Sequence, residues 1–148
     1  MPIQKTARTL LGATGLAAMM ALPAAAENDA SLVTVISSGD AQTQLMAMVL
    51  TTQAVEQGET AHMLLCGPGG DIALSDAPES ATAGQPPRDM SPQGMLQMLM
   101  GRGVTVEVCA IYLPGMGAEA DVLLEGVGVA QPPAMAETML RSGNVWSF

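Results

Sequence analysis

The sequence predicts an α/β domain: a five-stranded, mainly parallel sheet with helices on both faces, a three-layer α/β/α arrangement. Two observations carry this reading. Short, β-branched apolar runs alternate with longer segments of helical spacing. Each run stops at glycine, proline or serine, giving the order β-α-β-(α)-β-α-β-α-β, the pattern of parallel crossovers.

Residues 1–26 stand apart from that order. Lys5 and Arg8 form a charged start, Leu10 to Leu22 an apolar run, and Pro23 with Ala24, Ala25 and Ala26 a small-residue cleavage site. They predict a signal peptide cleaved after Ala26, leaving residues 27–148 as one exported, periplasmic domain. Gly12 and Gly15 interrupt the apolar run, which is also short of the roughly 20 residues that span a bilayer. No membrane association is expected after cleavage.

From Leu32 the run Leu-Val-Thr-Val-Ile-Ser is nearly all apolar, as suits a strand covered on both faces. Asp40 then caps a helix running to Gln57 and closed by Gly58. Leu45, Met48, Val49, Thr52 and Val55 follow helical spacing, and Met46 and Leu50 are expected to widen the buried stripe. A second strand covers Thr60 to Cys66 and stops at Gly67-Pro68-Gly69-Gly70. Asp71 to Asp89, polar and rich in proline and small residues, reads as a mobile irregular loop or lid with a short turn of helix.

Ser91-Pro92 opens a third unit as N-cap and first helical residue, and its helix ends at Gly101 or Gly103. Val104 to Ile111 reads as the third strand, stopped by Pro114-Gly115. A helix is expected from Ala118 to Glu125, then a short strand near Val127 to Ala130. Pro132 and Pro133 start the last helix, Gly143 closes it, and Asn144 to Phe148 forms the terminal strand.

Composition excludes some functions. Beyond the signal the only basic residues are Arg88, Arg102 and Arg141, with no lysine, while all 14 acidic residues remain. Such a surface repels phosphate backbones, so no nucleic-acid partner is expected. Two cysteines and one histidine make no zinc pattern, and no metal or cofactor is implied. The glycines at 67, 69 and 70 lack the spacing of a dinucleotide fingerprint. The 13 methionines raise a copper reading through Met90, Met95, Met98 and Met100, but helical spacing favours Met95 and Met98 as core residues. His62, inside the second strand, reads as a packed or surface histidine. No serine nucleophile finds a base.

In open parallel sheets, reactive groups gather beyond the carboxyl ends of the strands. Three segments converge there: Ser37-Ser38-Gly39-Asp40, Cys66-Gly67-Pro68-Gly69-Gly70 and Cys109-Ala110-Ile111-Tyr112. Ser37, Ser38, Gly39, Asp40 and Tyr112 are candidate ligand-pocket residues, since a helix N-terminus can hold an anion or substrate.

The strand Gly103-Val104-Thr105-Val106-Glu107-Val108-Cys109 resembles that of the DsrE/DsrF-like family, which includes TusD-like sulfur-relay proteins. So do Ala120-Asp121-Val122-Leu123-Leu124-Glu125-Gly126-Val127, Met139-Leu140 and Val145-Trp146-Ser147-Phe148, and the resemblance spans Leu32 to Phe148. It implies that Cys109 carries a persulfide, that the chain assembles as a homo-oligomer (trimer or hexamer), and that a sulfur donor or acceptor protein is a candidate partner. It also implies that strands two and three are neighbours, bringing Cys66 within disulfide reach of Cys109 as a structural bridge or a redox partner. Such a protein is a sulfur carrier, sulfurtransferase-like at most. The alternative is a non-catalytic, homo-oligomeric module that binds a small ligand, its two cysteines locked together. A Met-rich copper-binding protein is the third reading.

Overall fold

A computed structural model describes residues 30–148, so the signal peptide expected over residues 1–26 lies outside the described residues. The first half runs β1 (Leu32–Ile36), α1 (Ala41–Glu56), β2 (Ala61–Leu65), a 3-10 segment (Gly67–Ala73), α2 (Glu79–Thr82) and α3 (Pro92–Gly101). Then follow β3 (Thr105–Val108), α4 (Tyr112–Met116), a 3-10 turn (Ala120–Val122), β4 (Gly128–Val129), α5 (Pro132–Arg141) and β5 (Asn144–Ser147). All five strands are parallel, in the order β4-β3-β2-β1-β5. This is the predicted α/β fold.

That order decides which helix covers which face. From β1 to β4 the chain steps one way across the sheet, so right-handed crossovers put the intervening helices on one side. The return from β4 to β5 runs the other way and puts α5 on the opposite side. Burial agrees. Leu32, Ile36, Met63, Leu65, Val106 and Val108 join helix residues such as Met48, Leu96, Leu99 and Leu113 in the main core. The alternate strand positions Val33 and Leu64 form a smaller core with Ala130 and Met135.

The local signals behind the caps hold. Asp40 accepts a hydrogen bond from the Thr43 backbone N–H at 2.8 Å, and Ser91 Oγ accepts one from Gly94 N–H at 3.1 Å. Gly58 follows α1 at φ +99°, a conformation that costs glycine little.

The inward face of α1 differs from the expected stripe. It buries Gln44, Ala47, Met48, Thr51, Thr52 and Ala54, while Met46, Val49 and Leu50 are 55%, 38% and 40% exposed. Small and polar groups win this face because they fit close to β1 and find partners there. Thr51 and Thr34 hydroxyls bond at 2.8 Å in the core, and Gln44 donates to the Ser38 carbonyl at 2.8 Å.

Three further expectations need correction. β3 stops at Val108, and Ile111, in helical backbone, starts α4 at Tyr112. Pro114 sits in the first turn of α4, where its missing N–H has no intrahelical partner to lose. Instead of a helix over Ala118 to Glu125 there is a 3-10 turn, with Leu123 bridged antiparallel to Leu74. The stretch 71–89 is not irregular throughout: Ile72, Ala73, Leu74 and Ala81 are buried in the main core, the 3-10 segment and α2 pack on α3, and most of residues 82–89 is exposed. Gly70 lets this happen, because a Cβ there would lie 2.6 Å from the Tyr112 ring.

Candidate functional site

The cysteines meet because parallel pairing runs one step past the named strands. Leu65 is the register partner of Val108, and the Cys109 N–H donates to the Leu65 carbonyl at 2.8 Å. Cys66, whose N–H donates to the Ile36 carbonyl at 2.9 Å, therefore stands beside Cys109. Their Cα atoms are 5.1 Å apart and a disulfide joins them. That separation is inside the range a disulfide needs without backbone movement.

Strand alternation sets the face. Ala61, Met63 and Leu65 of β2 belong to the main core, which leaves His62, Leu64 and Cys66 for the α5 side. On β3 the same parity leaves Thr105, Glu107 and Cys109 there, with Cys109 touching both cores at the strand end. Next to Cys109 lies a concavity of about 320 Å³, walled by Leu64, Ala130, Pro132, Met135 and Met139. None of its lining residues is charged. Ile111, 81% exposed, stands at its rim. Sequence reasoning missed the wall from α5. Met135 and Met139 are spaced one helical turn apart, but which face they cover depends on the direction of the β4 to β5 crossover.

The other predicted pocket residues do not gather at this concavity. Ser37 donates from both its backbone N–H (2.7 Å) and its hydroxyl (3.0 Å) to the Phe148 carbonyl, so chain end and β1 end seal one another. Ser38 Oγ accepts from the Asp40 N–H at 3.1 Å. Gly39 abuts Pro68, where a Cβ on the glycine would come within 2.9 Å of the Pro68 Cβ. Asp40 is engaged as the cap of α1. The Thr43 backbone N–H, and then the Thr43 hydroxyl, hold its carboxyl below the usual aspartate range. Tyr112 is buried in the main core with its hydroxyl donating to Asp71 at 2.7 Å. Burial, then the hydrogen bond and charge of Asp71, push its pKa up. These residues hold the carboxyl end of the sheet together, and Cys66 and Cys109 are the pair brought into contact.

A second polar pair shares the α5 face. His62 Nε2 lies 2.9 Å from Glu107 Oε2, and His62 is 3% exposed. Its Nδ1 is buried without a hydrogen-bond partner. The signal for this pair was parity: both residues fall on the same side as the cysteines once the parallel register is known. Cations stand elsewhere. Arg102 pairs with Glu56 and Arg141 with Glu137, each at 3.0 Å on the surface. Met95 is buried in the main core and Met98 packs against it, so both act as core-filling side chains. Among the described residues no three His, Cys, Asp or Glu side chains cluster as a metal site, and no helix is long and apolar enough to cross a membrane.

No protein-family model and no curated relative matches the chain. Solved structures do. The ychN protein from E. coli superposes with a TM-score of 0.64 at 20% identity, covering 79% of this chain and 97% of that one. A protein of unknown function, MTH1491 from Methanobacterium thermoautotrophicum, gives 0.58 at 17% identity, with 79% and 97% covered. At such identity the likeness shows the fold, a DsrE-like α/β architecture.

Proposed function

We propose that this chain is an exported DsrE-like protein of sulfur and thiol chemistry, in which Cys109 accepts sulfur as a persulfide and Cys66 is its partner thiol. The observation that carries the reading is the pair itself: two half-buried cysteines side by side at the carboxyl ends of β2 and β3, beside an apolar hollow. In the reduced protein the Cys109 thiolate attacks the outer sulfur of a donor persulfide. A bond forms between the Cys109 sulfur and that atom, the donor's S–S bond breaks, and the donor leaves as a thiolate. The bound sulfur then leaves Cys109 when a second thiol attacks the persulfide.

Export fits the reading, since disulfides persist outside the cytoplasm. Homo-oligomeric assembly fits the outward Met46, Val49 and Leu50 of α1, an apolar stripe of the kind that partner copies cover. The test is to treat reduced, desalted Cys66→Ser protein with glutathione persulfide and read its intact mass. A gain of one sulfur, reversed by dithiothreitol and lost when Cys109 is also replaced by serine, is the expected result. An unchanged mass in folded protein would reject it.

The uncharged hollow favours a second reading, a binding module in which the bridge is permanent and a small apolar ligand sits against Cys109, Met135 and Met139. A bridge that survives mild reductant in the folded protein would give this reading the lead.

A further inference from the structure

We infer that the site does not deliver sulfur onward but reduces it: Cys66 discharges the Cys109 persulfide, releasing hydrogen sulfide and leaving the Cys66–Cys109 disulfide. This rests on Cys109 accepting sulfur and names what happens next. A relay must keep its sulfur until an acceptor arrives. Here a second thiol stands with its Cα 5.1 Å away, across one pair of hydrogen-bonded strand ends. Well-oriented intramolecular partners reach effective molarities of about 10⁵ M and above. An acceptor protein has to compete with a thiol already in place.

The surroundings point the same way. A stored persulfide is anionic and needs a cation or donors to hold it. Cys109 opens onto Leu64, Ala130, Pro132 and Met135, with no charged side chain in the lining. Two of the three arginines beyond residue 26, Arg102 and Arg141, are paired with Glu56 and Glu137 on the surface. The hollow is suited to admitting the organic end of a persulfide donor and letting sulfide leave, and its lining offers no charged side chain to retain the sulfane anion.

The step balances. Cys66 thiolate attacks the inner sulfur, the Sγ of Cys109. The new bond is Cys66–Cys109, the bond that breaks is Cys109 Sγ to the outer sulfur, and the outer sulfur departs as hydrosulfide, taking the proton that Cys66 gave up. The two thiols lose two electrons and the sulfane sulfur gains them. Attack on the outer sulfur only moves the persulfide to Cys66 and back, so attack on the inner sulfur is the exit. A dithiol reductant returns the bridge to two thiols and is itself oxidised. The net activity is reduction of an organic persulfide to a thiol and sulfide at the expense of a dithiol.

The experiment is a single turnover on the full chain, reduced and freed of reductant, with one equivalent of glutathione persulfide. Free sulfide and intact mass are followed together, against a blank of the Cys66→Ser, Cys109→Ser double variant. The wild type is expected to release about one sulfide per chain above the blank and to finish two hydrogens lighter, with no added sulfur. Cys66→Ser is expected to keep one added sulfur and release none. Wild-type protein that retains its added sulfur as long as Cys66→Ser does would overturn the inference while leaving the carrier reading intact. Folded Cys66→Ser that takes up no sulfur would remove the carrier reading and this inference with it. The wild-type mass alone, two hydrogens lighter or one sulfur heavier, decides the inference if a variant fails to fold.

Discussion

The two faces of the sheet are built for different tasks. One is covered by α1, α2, α3, α4 and the 3-10 segment and holds the main core, in which Ile36, Met63, Leu65, Ile72, Leu96 and Leu99 are almost fully shielded. The other carries α5 alone, a core of Val33, Leu64, Ala130 and Met135, the Cys66–Cys109 bridge and the His62–Glu107 pair. The difference teaches that most of the packing lies away from the reactive face, which keeps a smaller core of its own. On the proposed function the bridge opens and closes, and the thick face then has to hold the sheet together while it is open.

The largest effect that tests this contrast is opening the bridge. The disulfide closes a separation of 43 residues, and the chain-entropy argument gives it about 4 kcal/mol. It acts through the unfolded chain, so urea melts with and without reductant are expected to differ by that order while the reduced protein still unfolds cooperatively. A reduced protein without a cooperative transition would mean that the thick face cannot hold the fold alone. Next in size is packing. Leu99→Ala on the thick face is expected to cost about 3 kcal/mol, and Met139→Ala, half-buried beside α5, about 1 kcal/mol or less. Equal losses in paired denaturation curves would erase the distinction.

Glu107→Ala sharpens the comparison within the thin face. It takes the partner from Nε2 of a histidine whose Nδ1 already has none, a change of about 2 kcal/mol by the cost of an unsatisfied buried group. Stability unchanged in thermal melts would show that water reaches His62 and that this face is wetter than its burial indicates. The smallest effect lies at the cap of α1. Asp40 has a depressed pKa in the folded protein, so its contribution is present above the ordinary aspartate pKa and lost as the pH falls through the folded value. Melting temperatures of wild type and Asp40→Asn are therefore expected to differ most at neutral pH and to converge on acidification. A gap that widens at low pH would contradict the assignment.

The legible parts of the fold were those fixed by neighbouring residues. β1 and β2 announce themselves as apolar runs, and Asp40, Ser91 and Pro92 mark helix starts that the structure reproduces. The placement of Cys66 and Cys109 at strand ends was readable too. Features that depend on distant partners were not. Tyr112–Met116 hid as a helix because Pro114 reads as a stop unless its place in the first turn is known. Ile72 and Leu74 sat in a stretch that looked like a loop, and only contacts with α3 and Leu123 make it core. Met46, Val49 and Leu50 fitted an inward stripe, but the Thr34–Thr51 bond and the small side chains beside it turn another face of α1 to the sheet. His62 was seen alone, because Glu107 reaches it only through the register of β2 and β3.

The central claim, that Cys109 takes up sulfur, is tested most directly by intact mass on Cys66→Ser protein recovered from the cells that make it, before and after mild reductant, with the double variant alongside. One additional sulfur that reductant removes, and that is missing from the protein lacking both cysteines, is the predicted result. A mass equal to that of the chain without added sulfur, in folded Cys66→Ser protein, would contradict it.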